Sequence, residues 1–283
     1  MEQKKLTIPD IKARKEKGPK ISVLTAYDYP WALLTDRAGI DIILVGDSLG
    51  MVVLGYEGTV PVTMDEMIHH TSAVTRAVKR SLVVADMPFG SYNISKEKGI
   101  ENGVRFLKEA GADAVKLEGG VNMAPMVKSM VNAGIPVQGH IGLTPQTASA
   151  LGGFKVQGKT AQAAEMLIDD AKALEDAGCF SIVLEAVPSP IAKLVTESVS
   201  IPTIGIGAGK YCDGQVLVIH DLLGLFDRFT PKFVKQYAQI NSIASDAISQ
   251  FRNDVEKGEF PGKEHSFDIK AGELEKLGQL FKG

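Results

Sequence analysis

A single (β/α)8 barrel is the fold this sequence predicts, and two observations lead to it. Eight short, apolar, β-branched runs recur along the chain, separated by amphipathic segments of helical length. Eight parallel strands close such a barrel, which ordinarily takes about 250 residues; the chain has 283. A third observation removes the main competitor. An open, doubly wound sheet carries a glycine-rich phosphate turn after its first strand, whereas here that strand runs into Ala26-Tyr27-Asp28-Tyr29-Pro30.

Taken in order, Thr7 to Lys17 reads as an extra helix ahead of the first strand, placed to close the barrel bottom. The strands are expected at Ile21–Thr25, Ile42–Val45, Leu82–Ala85, Ala114–Leu117, Pro136–Gly139, Ser181–Leu184, Pro202–Ile206 and Val216–Ile219. Each is mostly apolar, as strands covered on both faces are. Met64 to Lys79 has one apolar side, with Thr63 as N-cap and Glu66 three residues on, a capping box. Helices over Glu97–Ala110, Ala124–Ala133 and Thr160–Ala177 each stop before a glycine, the residue that tolerates the left-handed turn at a helix end. Thr230 to Lys257 reads as the last barrel helix plus an extension, and the residues after Pro261 as surface structure. No linker or charge block divides the chain, so 1–283 is expected to be one barrel domain with its core over about 21–258.

Composition bounds the partners. With 31 Lys+Arg against 34 Asp+Glu, a net charge of -3 gives no electrostatic reason to expect nucleic acid or an acidic membrane. No apolar run approaches the ~20 residues of a membrane span. Cys179 and Cys212 cannot build a disulfide framework and lack metal-ligand spacing. The start, Met1 to Asp10, has no signal-peptide core. These features lead us to expect a cytoplasmic metabolic protein.

Active sites of such barrels lie at the C-terminal ends of the strands. There the sequence places Asp47 and Ser48, Asp86, Glu118, His140 and Glu185, so five consecutive strands deliver four carboxylates and an imidazole to one rim. One acid at a strand end is ordinary loop polarity. Four at the same phase repel one another unless a cation neutralises them, and an all-oxygen donor set favours Mg²⁺ over Zn²⁺. Lys116 lies two residues before Glu118, so both point to the barrel axis. It is either a Schiff-base nucleophile or a fixed charge for an anionic substrate; the acids around it keep its amine protonated and favour the second. Gly205-Ile206-Gly207-Ala208-Gly209-Lys210 fits neither a dinucleotide loop nor a P-loop, and its glycines are expected to let backbone amides approach a ligand. His69-His70, inside a helix pattern, read as surface or packing residues and not as metal ligands.

The stretches VGDSLGMVVLGYEGTVPVTMDEMIHHT from Val45, VADMPFGSY from Val84, AVKLEGG from Ala114, GHIGLTPQ from Gly139, GGFKVQG from Gly152, LEAVPSP from Leu184, IPTIGIGAG from Ile201 and DGQVLVIHDLLGL from Asp213 run in one order across nearly the whole chain. They resemble the ketopantoate hydroxymethyltransferase family, with Ala186 standing where members often carry cysteine. The resemblance implies a barrel of the phosphoenolpyruvate/pyruvate type and a homo-oligomer, typically a decamer. It also implies transfer of a hydroxymethyl group from 5,10-methylenetetrahydrofolate to 3-methyl-2-oxobutanoate, giving 2-dehydropantoate in pantothenate synthesis. By the same resemblance Asp47, Asp86 and Glu118 serve one Mg²⁺ per subunit. Asp47, Ser48, Asp86 and Lys116 contact the oxoacid, and Glu185 is the proton acceptor. Four negative charges, the substrate carboxylate included, against three positive ones place Glu118 behind a metal-bound water. His140 is expected to hydrogen-bond either the substrate or an acid behind it, or to pack at the rim. A lyase of the same superfamily would need no folate, and a binding protein on a dead barrel would have lost rim acids; none is missing.

Overall fold

In the computed structural model, which describes residues 4–150, 152–226 and 228–281, eight parallel strands close into a barrel in sequence order. They are β1 Ile21–Thr25, β2 Ile42–Val45, β3 Leu82–Asp86, β4 Ala114–Glu118, β5 Val137–Gly142, β6 Ser181–Glu185, β7 Thr203–Ile206 and β8 Gly214–Leu217. The last pairs with the first, Ile21 opposite Gly214. The sequence reading set β8 two residues too late. The apolar run continues past Leu217, but Ile219 gives its N–H to Thr25 Oγ1 at 2.9 Å and opens a helical turn instead.

The helices are α1 Ile8–Ala13, α2 Tyr29–Arg37, α3 Leu49–Val52, α4 Met64–Ala77, α5 Lys96–Lys108, α6 Ala124–Asn132, α7 Ala161–Ala177, α8 Ser189–Ser198, α9 Ile219–Leu222, α10 Ile240–Lys257 and α11 Glu273–Leu280. The capping box of α4 is formed: Thr63 N–H donates to Glu66 Oε2 at 2.7 Å and Glu66 N–H to Thr63 Oγ1 at 3.2 Å. Gly178 ends α7 at φ 103°, as its position predicts. α4 stops at Ala77, two residues short of expectation, because Val78 is already extended.

Strand side chains alternate between two apolar clusters. Ile21, Val23, Ile42, Leu44, Leu82, Val84, Ala114 and Val183 fill one with Ile11 of α1; Ile43, Val45, Val83, Ala85, Val115 and Leu117 pack in the other with helix residues such as Met67, Val74 and Phe106. The first is the barrel interior, and α1 closes its bottom as predicted. This two-residue alternation fixes which rim residues face inward.

The chain forms two compact units, the first ending at Tyr237 and the second beginning at Ala238. All eight strands lie in the first. The helix expected over Thr230–Lys257 is observed only as α10, in the second; residues 230–239 are turns and coil, and α10 buries none of its residues. No helix among the described residues is long and apolar enough to cross a membrane.

Candidate active site

Inward alternation carries Asp86, Lys116, Glu118, His140 and Glu185 to the C-terminal mouth. Asp86 is paired in register with Lys116, Glu118 with His140, and Gly142 with Glu185. Asp47, on the loop after β2, joins them by donating its backbone N–H to Asp86 Oδ2 at 3.0 Å. Gly46 makes that approach possible: a Cβ there would lie 2.8 Å from Ser48 Oγ and 3.4 Å from Asp86 Oδ2. Ser48 Oγ is held 2.9 Å from Tyr27 OH. All of these sequence-predicted residues line one cavity of about 600 Å³.

Asp47, Asp86, Lys116, Glu118 and His140 are each no more than 5% exposed. Burial, then the neighbouring Asp86, pushes the Asp47 carboxyl up to about 7. Glu118 is raised well above its ordinary value by burial and then by Asp47. For Lys116 burial opposes the charge, but Asp86, Glu118 and Asp47 outweigh it and hold the amine above its ordinary value. Its Nζ lies 2.8 Å from Asp86 Oδ1 and 3.1 Å from His140 Nδ1. An ammonium only donates, so Nδ1 of His140 is the acceptor and Nε2 carries the proton. That Nε2 lies 3.2 Å from Glu185 Oε2. Burial, then Lys116, holds the imidazole below its ordinary value, hence neutral. His140 thus lies between the fixed charge and Glu185, with one ring nitrogen near each.

Just after Glu185, Ala186 takes a left-handed backbone at φ 49°. Its N–H donates to Ile206 O at 2.9 Å and its C=O accepts from Gln157 N at 2.9 Å. The chain turns sharply away there and leaves Glu185 at the mouth, at a local cost of order 1 kcal/mol.

Two residues of the site escaped the sequence reading. Gln146 Nε2 donates to Asp47 Oδ2 at 2.8 Å and to Met87 O at 2.9 Å, while its backbone N–H donates to Glu118 Oε2 at 3.1 Å. Tyr92 OH donates to Gln146 Oε1 at 2.7 Å and accepts from Glu118 N at 3.2 Å. Burial, then Glu118, raises the phenol above its ordinary value, so it remains a donor. The available signal was Thr144-Pro145: proline opens a single 3-10 turn, Pro145–Thr147, whose unpaired N–H groups suit a carboxylate.

The donor set fits a hard divalent cation. Asp47 and Glu118 are raised by burial and then by neighbouring carboxylates, and Lys116 Nζ, 2.8 Å from Asp86 Oδ1, is the one ammonium that the described residues set among these buried acids. Among the described residues no three such side chains form a complete metal cage. Glu118 is instead turned to Gln146 and, at 3.6 Å, to His140. Mg²⁺ takes one or two carboxylates and keeps several waters, so Asp47 and Asp86 are suited as direct ligands with Glu118 reached through water.

Other expectations change. The glycines of the β7 loop are closed over by the chain itself: a Cβ at Gly207 would lie 2.8 Å from Phe233 Cδ1, and one at Gly209 would collide with Ser189. They make room for side chains, not for a ligand's approach. His70 Nδ1 meets Tyr27 O at 2.6 Å, a packing role as expected.

A closed parallel barrel of eight strands with helices between them is a fold found among solved enzyme structures. Phosphoenolpyruvate phosphomutase from Streptomyces platensis subsp. rosaceus superposes with a TM-score of 0.59 at 16% identity, over 98% of each chain. The sequence goes further. The ketopantoate hydroxymethyltransferase family model matches residues 5–263. The 3-methyl-2-oxobutanoate hydroxymethyltransferase of Heliobacterium modesticaldum is 63% identical over 94% of this chain and 96% of its own. That of Syntrophobacter fumaroxidans is 60% identical over 98% of both. The chain belongs to the ketopantoate hydroxymethyltransferase family.

Proposed function

We propose that this chain transfers the one-carbon unit of 5,10-methylenetetrahydrofolate to C3 of 3-methyl-2-oxobutanoate, giving 2-dehydropantoate in pantothenate synthesis. The observation that carries the reading is the inward convergence of Asp86, Lys116, Glu118, His140 and Glu185 on one cavity, in a chain of this family. Asp47 and Asp86 would hold Mg²⁺, with Glu118 behind a water. When bound, the ion supplies Lewis acidity toward the ketone oxygen.

The protein's own groups do the rest. The Lys116 ammonium and Ser48 hydroxyl hold the substrate carboxylate, and Asp47 and Asp86 bound the keto end. Lys116 stays a fixed charge, because the acids around it keep it protonated. Glu185 takes the C3 proton, and the Nε2–H of His140 steadies it. The electron pair left at C3 forms the new C–C bond to the methylene carbon. As that bond forms the methylene carbon gives up one C–N bond to the folate, and the oxygen of a water replaces the second; the proton taken by Glu185 and one from the water go to the two folate nitrogens, leaving tetrahydrofolate.

The reading includes a cytoplasmic homo-oligomer, a decamer. Ile243, Ile248 and Phe251 on α10, exposed in the single chain, support assembly; sedimentation of the purified protein measures its size. The function itself is tested by supplying methylenetetrahydrofolate and 3-methyl-2-oxobutanoate and following 2-dehydropantoate. Without folate, the protein should still exchange the C3 hydrogen in D₂O, since abstraction needs only the rim. Absence of both turnover and exchange in folded, Mg²⁺-supplied protein would sink the reading.

A further inference from the structure

The rim cavity is larger than a small branched oxoacid needs, and it is unevenly built. Its charged groups at the strand ends come from β2 to β6, while the arc from β7 to β8 presents Ile206, Val216 and Val218, and Phe226 and Phe233 line the same cavity. One acid stands in this apolar arc. Asp221, in α9 immediately after β8, lines the cavity half-buried. Burial is the influence that moves its carboxyl, up to about 6. By contrast Asp36, at the other end of the barrel, is held below its ordinary value by backbone donors from Ser81 and Lys79 that overcome its burial.

We propose that Asp221 is the anchor for the pterin ring of the folate cosubstrate, receiving its N3–H and 2-amino group on the two carboxylate oxygens. This rests on the folate-dependent reading above and deepens it. The chemistry is complementary at each part of the ligand. A reduced pterin has apolar faces, which suit the walls of Phe226 and Phe233. One edge presents two parallel N–H donors, the pattern a carboxylate accepts in bidentate form. The exposed Lys155 and Lys232, also at the cavity, suit the acidic tail of a folate.

The placement also makes geometric sense of the transfer. In methylenetetrahydrofolate the one-carbon bridge lies at the end of the ring system opposite the N3 and 2-amino edge. Fixing that edge beside β8 directs the bridge across the mouth, toward the oxoacid between Lys116 and Glu185. An anchor on the β2 to β4 side would place the ring over the acids and turn the bridge outward. Asp221 would thus be a binding residue for the cosubstrate and take no proton in the reaction.

The test is calorimetric titration of the full-length protein with tetrahydrofolate, which lacks the one-carbon unit and cannot turn over. A second ligand carries methyl in place of the 2-amino group. The parent should bind tetrahydrofolate, and bind the methyl analogue about tenfold or more weakly, because a built hydrogen-bonding site rejects a ligand lacking the donor. Asp221→Asn should weaken tetrahydrofolate by a similar factor and no longer distinguish the two ligands. An unchanged melting temperature would show that the variant is folded. Equal parent affinity for both ligands would overturn the assignment without use of any variant. So would an Asp221→Asn protein that binds tetrahydrofolate as tightly as the parent, or one that keeps the full preference for the amino group. Failure of the underlying reading is seen separately, in a parent protein that neither exchanges the C3 hydrogen nor turns over.

Discussion

At the N-terminal end of the barrel, Asp36 accepts from the backbone N–H groups of Lys79, Arg80 and Ser81 and from the Ser81 hydroxyl, at 2.7 to 3.1 Å. Asp41 accepts from Ser22 N and Oγ at 3.0 and 2.9 Å and from Arg80 and Arg14 at 3.2 and 3.4 Å. In both, donors overcome burial and hold the carboxyl below its ordinary value. At the C-terminal mouth Asp47 and Glu118 are equally closed to solvent but lie deeper among protein atoms, and both are raised. The two ends share residue types and barrel. They differ in depth and in whether the chain itself supplies enough donors and positive charge. Acids that are fully served tie strands and loops together; acids left short of positive charge mark where a cation and an anionic substrate belong.

The largest expected effect is on turnover. Asp47→Asn and Asp86→Asn should each lower kcat/KM by about a thousandfold or more, the scale of losing a metal's electrostatic contribution. Excess Mg²⁺ should restore part of it. Steady-state kinetics across Mg²⁺ concentrations measures this, and full activity in either variant would make these acids structural.

Next comes the link that holds the acids in place. Gln146→Leu removes the donors to Asp47 Oδ2 and Met87 O but keeps the backbone N–H to Glu118. Mg²⁺ affinity, read by calorimetry, should fall about 10- to 100-fold, as for partners that orient metal ligands. Tyr92→Phe, losing one hydrogen bond to Gln146, should show the same change at smaller size. Unchanged affinity in both would remove Gln146 from the site.

The opposite end should respond to acid. Asp36 and Asp41 have folded pKa values below the unfolded ones, so their stabilisation is present above the ordinary carboxylate range near pH 4. It is lost as pH falls through the lower folded values. Urea midpoints should drop between about pH 5 and pH 3, and Asp36→Asn should flatten that drop. A midpoint independent of pH in the parent would contradict the comparison.

The smallest effect is expected at Ala186. Replacement by glycine relieves the left-handed backbone but adds freedom to the unfolded chain, so stability should shift by no more than about 1 kcal/mol. A loss of several kcal/mol would show that the methyl group packs in a way the backbone argument omits.

Much of this was legible in sequence. Runs such as Ile42–Val45 mark strands because both faces are covered, and the two-residue period then assigns Lys116 and Glu118 to one side. The capping box at Thr63 and Glu66 is legible because its partners are three residues apart. Gln146, Tyr92 and Asp221 were not legible. Gln146 sits in a single 3-10 turn, Tyr92 on a loop and Asp221 in the four-residue α9, all too short to show a period, and the role of Gln146 comes from Asp47, far along the chain. The start of β8 was missed for a related reason: its register is set by pairing with Ile21, which apolar content does not encode.

The most direct test of the contrast is equilibrium unfolding of the metal-free parent, Asp36→Asn and Asp47→Asn side by side at neutral pH. Asp36→Asn should lose about 2 to 4 kcal/mol, since an amide cannot satisfy donors arranged for a carboxylate. Asp47→Asn should be unchanged or slightly more stable, since it removes a like charge beside Asp86 and keeps an acceptor for Gln146. If Asp47→Asn were destabilised as much as Asp36→Asn, the mouth acids would be holding the fold together, and the distinction between the two ends would fail.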